Sequence, residues 1–272
     1  MTNPGITSDS QSVSVDNPFP PAARTSPMGS VPFIRLATVE LRKQVDTRSG
    51  VWLLVTIAIV SAGLITLPLV TGTADGLTFT NFVSAASTGQ LFLLPLIGVM
   101  AATSEWSART ALTTFTLEPR RTRVNLAKLA SASYLGMVLM VVTLAVAAVF
   151  NLIGIVWLDT GGSWEINRPI ILGTALALVL LVAQGIAFGL AFLSTPVAIV
   201  AYLGLPTVWS ILSFAVEPLS GPAEWLDMTN TLRTLMSGLM TADGWAKLLV
   251  SVLVWVGIPL SIGLWRTARR EP

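Results

Sequence analysis

The chain has no cysteine and no histidine. Disulfides, thiol nucleophiles, imidazole bases and the commonest zinc sites are therefore excluded. Charge is scarce as well: Asp, Glu, Lys and Arg make up 11% of the residues, against about 25% in soluble domains. A phosphate-binding loop needs a Gly immediately before its Lys, but Lys43, Lys128 and Lys247 follow Arg, Ala and Ala. No G-x-S-x-G elbow and no cluster of metal-ligand residues is present either. Nothing in the chain marks it as an enzyme with a nucleotide, metal or nucleophile site of its own.

What is abundant is apolar: 53% of the residues are hydrophobic. They fall into charge-free runs long enough to cross a bilayer, each crossing needing about 20 residues. The expected fold is an all-α integral membrane protein with spans at about 51–70, 82–102, 130–157, 170–193, 197–216 and 248–265. No charge occurs between Arg168 and Glu217. That run is too long for one crossing and suits two, with Ser194-Thr195-Pro196 as the break. Pro68, Pro95, Pro206 and Pro259 lie within spans and are expected to kink them.

Residues 1–30 are rich in Ser, Pro, Asn and Thr without an apolar run, and read as a disordered cytoplasmic tail before a six-helix transmembrane domain at 31–272. From Phe33 to Arg48, Ile34, Ala37, Leu41 and Val45 form a stripe with Arg35, Arg42 and Lys43 on other faces. This predicts an amphipathic elbow helix lying in the headgroup plane. Between the fifth and sixth spans, Leu232, Leu235, Met236, Leu239 and Met240 repeat at helical spacing. They predict one or two short helices capping the bundle or dipping into the outer leaflet.

Lys and Arg set the orientation. The side holding both termini carries Arg24, Arg35, Arg42, Lys43 and Arg48, then Arg109, Arg120, Arg121, Arg123 and Lys128, then Arg266, Arg269 and Arg270. The other side has Arg168, Arg233 and Lys247. The termini are thus expected in the cytoplasm. Trp52, Trp106 and Trp265 should mark the inner interface, and Trp157, Trp164, Trp225 and Trp245 the outer one. The preference for Arg over Lys fits a GC-rich bacterium, and hence a bacterial plasma membrane.

Inside the spans no residue is expected to ionise, which argues against a proton relay. Gln90, Asn151 and Gln184 are the polar candidates for a pathway, or else interhelical hydrogen-bonding groups. Gly185 and Gly189 form a GxxxG, a close-approach face.

The densest polar stretch is SEWSARTALTTFTLEPRRTRVNLAK, ending at Lys128. Glu105 and Arg109 are spaced i, i+4 on an expected short helix over 105–117, and Pro119 stops it. Basic residues from Arg120 to Lys128 then form a collar for the third span. This stretch resembles the cytoplasmic loop of type 2 ABC exporter permeases, through Glu105, Thr110, Leu112, Leu117, Pro119, Arg121 and Lys128. It departs at Ala108-Arg109, where a Gly often precedes the Thr. The resemblance implies that the helix couples to a separate ATP-binding subunit through Glu105, Arg109, Thr110, Leu112, Phe115, Pro119 and Arg121. It also implies a second permease half, identical or a sibling, with ATP and Mg held by the partner and no cofactor on this chain. Nucleic acid is not an expected partner. The competing readings are a secondary transporter or channel, and a membrane scaffold or sensor that transports nothing.

Overall fold

A computed structural model describes residues 31–71, 77–108, 110, 120–158, 163–216 and 220–269. Helix α1 is Phe33–Asp46, α2 Arg48–Thr71, α3 Phe79–Ser107, α4 Arg121–Leu158, α5 Arg168–Phe192 and α6 Thr195–Ala215. Two short helices follow, α7 (Ser220–Leu226) and α8 (Met228–Met236). The last crossing is α9 (Ala242–Val252), a π turn at Leu253–Gly257 and α10 (Ile258–Arg269). Among the described residues there is no strand beyond one isolated bridge, Thr78 to Ser163. Six helices are long and apolar enough to cross a membrane, so the chain is a multi-pass membrane protein.

The spans are longer than their charge-free cores. The expected 82–102 is part of a helix of 29 residues, about 43 Å at 1.5 Å per residue. The expected 130–157 lies within one of 38 residues, about 57 Å by the same rise. Both exceed the ~30 Å of hydrocarbon in a bilayer. Intrahelical hydrogen bonds do not stop where charge begins, so Glu105 and Lys128 lie inside these helices. The helix bounds therefore run beyond the expected 82–102 and 130–157 at their charged ends. Of the short helix over 105–117, Arg109 and residues 111–119 lie outside the described residues. Glu105 belongs to the last turn of α3, and Thr110 donates its amide to the Glu105 carbonyl at 2.9 Å.

The break at 194–196 holds. Helix α5 ends at Leu193 in the left-handed region, φ 53°, and α6 starts two residues later with Pro196 in its first turn, where a missing amide costs nothing. Pro68, Pro95 and Pro206 sit inside intact helices. The π turn ends at Gly257, two residues before Pro259, which has no amide to offer the carbonyl one turn back.

Helices α3 and α5 form the centre of the bundle, and their mutual packing is the most extensive. A methyl added at Gly185 would run into the Pro95 carbonyl, and one at Gly98 into the Val182 carbonyl. The GxxxG face therefore seats α5 on α3, and Gly98 answers it from the other helix. Helix α4 covers one side of this pair, with α1 lying across its basic end and α2 beside α3. Helix α6 packs against α5, and most of its surface remains exposed.

Helix α1 buries Leu36, Glu40 and Gln44, a line rotated from the expected stripe. Leu41 and Val45 do reach the apolar core, while Ile34 is 80% exposed. At the opposite end, the expected capping helices are α7 and α8. Asp227 accepts a hydrogen bond from the Asn230 amide at 3.0 Å and starts α8. Leu232 and Leu235 are buried, as expected, but Leu239 falls beyond the helix end and is exposed. Trp106 packs with Leu36 and Val124, while Trp52 and Trp265 are exposed.

Candidate functional site

Four charges from three helices meet at the basic end of the bundle. Lys43 Nζ lies 2.7 Å from Glu40 Oε1 and 2.7 Å from Glu105 Oε1. Lys128 Nζ lies 3.0 Å from Glu40 Oε2 and 3.1 Å from Glu105 Oε2. The result is a closed ring in which each lysine bridges both carboxylates. Lys128 and Glu40 are each 2% exposed and Glu105 4%, while Lys43 reaches solvent. Leu36, Val124 and Ala127 form an apolar cluster next to the ring, with Ala37 and Trp106 against it. Gln44 extends the contact by donating to Ser131 Oγ at 2.8 Å.

Isolated charges in such a place would be costly, several kcal/mol each. Here two positive and two negative groups cancel, and each carboxylate oxygen named above accepts a charge-assisted hydrogen bond. Such a ring adds little net stability over an apolar core, but removing one member would strand a buried opposite charge. At Lys43, burial works against the charge. Hydrogen bonds to Glu105 and Glu40 outweigh it and raise the pKa above the ordinary 10.5.

This geometry adds to the sequence reading of Glu105. It is a buried member of a ring with Lys43 and Lys128, while Arg109, its expected partner, lies outside the described residues. Lys128 likewise lies within the protein and is no surface collar. Glu40 was missed altogether, since its place in FIRLATVELRKQVD looks like a solvated face. The signal available was its i, i+3 spacing to Lys43 and the matching Glu and Lys at 105 and 128.

The link between α3 and α4 thus springs from a braced root. Arg121 donates to the Thr267 carbonyl at 2.7 Å and Asn125 to Thr267 Oγ1 at 3.0 Å, which ties α4 to α10. Arg123 donates to the Val31 carbonyl at 2.8 Å, and Arg266 to the Ala191 carbonyl. Thr195, opening α6, shares a hydrogen bond of 2.7 Å with Thr103 and one of 3.2 Å with Ser107. Of the coupling residues expected from sequence, Glu105, Thr110 and Arg121 gather at this root. Arg109, Leu112, Phe115 and Pro119 lie outside the described residues.

The three amides do not share a cavity. Gln90 donates to Thr143 Oγ1 at 2.6 Å and joins α3 to α4. Asn151 is buried on α4, its side chain without a hydrogen-bond partner among the described residues. Gln184 lines a groove of about 570 Å³ bounded by α3, α5, α6 and α8. Among the described residues no group of carboxylates is placed to hold a metal ion. No known protein-family model matches the chain, and none of the curated proteins compared with it does.

Proposed function

We propose that the chain is the membrane-spanning permease subunit of an ATP-driven exporter. Its partners are a separate ATP-binding subunit, which carries ATP and Mg, and a second six-span half. The observation that carries the reading is the buried ring of Glu40, Lys43, Glu105 and Lys128 at the root of the α3–α4 link. An exporter driven by a partner needs a handle outside the bilayer and a stiff connection from it to the transport path. Helices α3 and α4 are long enough to project beyond the hydrocarbon, and the ring clamps their ends to α1. Helix α3 is seated on α5 through glycine contacts, so force on the link reaches the groove lined by Gln184 without passing through a compliant joint. The resemblance of residues 105–128 to exporter permeases supports the same assignment. In it, α1 is the elbow helix at the inner surface, and the termini lie in the cytoplasm.

The ring is also the one observation that favours a secondary transporter, which needs ionisable groups within the membrane. All four of its charges are paired, however, and they gather at the ends of the helices rather than along the groove. The scaffold reading leaves the groove without a use.

The test is reconstitution. The purified chain should hydrolyse no ATP, while vesicles holding it with a P-loop ATPase encoded beside it should show turnover that depends on both proteins. Cysteine at Phe115 should cross-link to that ATPase in the otherwise cysteine-free chain. ATP turnover by the isolated chain, or transport driven by an ion gradient without the ATPase, would overturn the proposal.

A further inference from the structure

The groove between α3, α5, α6 and α8 has a chemistry of its own. Its volume of about 570 Å³ lies within the range of small-molecule sites, roughly 300–1,000 Å³. Thr174 and Gln184 both line it, about 15 Å apart along α5 at 1.5 Å per residue. The groove therefore runs from the end of the bundle capped by α8 well into the span. Most of its lining surface is apolar, though about half of the side chains that contribute to it are neutral polar ones, mainly Ser and Thr. Phe92 and Leu203, also in its lining, are 64% and 44% exposed, so the groove opens at the side of the bundle. The charged residue lining it is Arg233, on α8 near the mouth. Arg233 is exposed and forms no ion pair among the described residues.

We propose that this groove binds a single class of ligand, an anionic lipid, with its phosphate headgroup on Arg233 and one acyl chain along α5 and α6 towards Gln184. A guanidinium at the α8 end of a groove that opens at Phe92 and Leu203 and has a mostly apolar lining surface fits an anionic headgroup carrying a chain. A water-soluble anion would leave the apolar walls unfilled, and an uncharged lipid would leave the guanidinium without a partner. The proposal rests on the membrane fold and not on the exporter reading, because binding is measured on the chain alone.

The experiment titrates the purified full chain, in a neutral maltoside detergent, with phosphatidylglycerol and with phosphatidylcholine of identical acyl chains, read by native mass spectrometry. Phosphatidylglycerol should bind about fivefold more tightly, the worth of one Arg at an anionic headgroup. Arg233→Gln should bring the two lipids to equal affinity, and Thr207→Trp, which narrows the groove, should weaken both. Glycerol phosphate, the headgroup without chains, should not compete at the concentrations where the lipid binds. Equal binding of the two lipids by the wild-type chain overturns the proposal without any variant. So does displacement by glycerol phosphate, which indicates a simple anion site. Disulfide formation between two copies carrying Thr207→Cys, in native membranes, would show that a second copy covers the groove, and overturns it as well.

Discussion

At Lys128 a primary ammonium is held 2% exposed between Glu40 and Glu105. Lys128→Met removes the buried cation that Glu40 and Glu105 share. It should cost about 3–5 kcal/mol, the usual penalty for orphaning one side of a buried ion pair. Thermal unfolding in detergent, followed by circular dichroism, checks this. Lys43→Met should cost clearly less, because water reaches that lysine and the carboxylates keep Lys128. Equal losses would mean that the ring is not closed as described. Glu105→Gln should lower stability too, so it cannot by itself separate coupling from folding; variants on the link are needed for that.

Lys43 also predicts a pH dependence. Its pKa is raised above 10.5 in the folded chain, so its contribution is fully present below that value and is lost as pH rises through the folded-state pKa. Melting temperatures should show no Lys43-dependent change between neutrality and pH 10. Above that they should fall further in the wild type than in Lys43→Met. A Lys43-dependent loss on acidification to pH 6 would contradict the assignment.

Among the elements, the crossing of α3 and α5 is the least tolerant. Gly185→Leu places a side chain where the Pro95 backbone already lies, and the two helices have no room to part without opening the core. The variant should fail to give a monodisperse species on size exclusion. Gly204→Ala on α6 is the control, since nothing lies within 4 Å of the added methyl. It should be neutral or stabilising by up to about 1 kcal/mol, the helix-propensity difference between the two residues. Loss of the fold by Gly204→Ala would show that α6 is covered by something other than lipid.

For the whole molecule, the order of helices makes a topological prediction. Thr195 meets the end of α3, and Thr267 near the end of α10 meets the start of α4, so both turns belong to one end. A cysteine at Ser194 should react from the same side of the membrane as a tag on either terminus. A cysteine at Ile166, 61% exposed at the start of α5, should react from the opposite side. Labelling of both from one side would break the six-span order.

The spans and the break at Ser194 were legible in the amino-acid order alone. Crossing a bilayer demands about 20 consecutive apolar residues, and that demand is met locally, segment by segment. So was the close-approach face at Gly185 and Gly189, because small residues at i, i+4 permit only a few outcomes. The ring was not legible. A charged residue on a helix looks the same whether its face meets water or an opposite charge from another helix. Glu40, Lys43, Glu105 and Lys128 became one site only when α1, α3 and α4 converged. The groove was hidden for the same reason: Gln184, Leu203 and Arg233 come from three helices, and a concave surface belongs to none of them. Composition and period determined what crosses the membrane; which side chains meet was decided by packing, because a contact is a property of two segments at once.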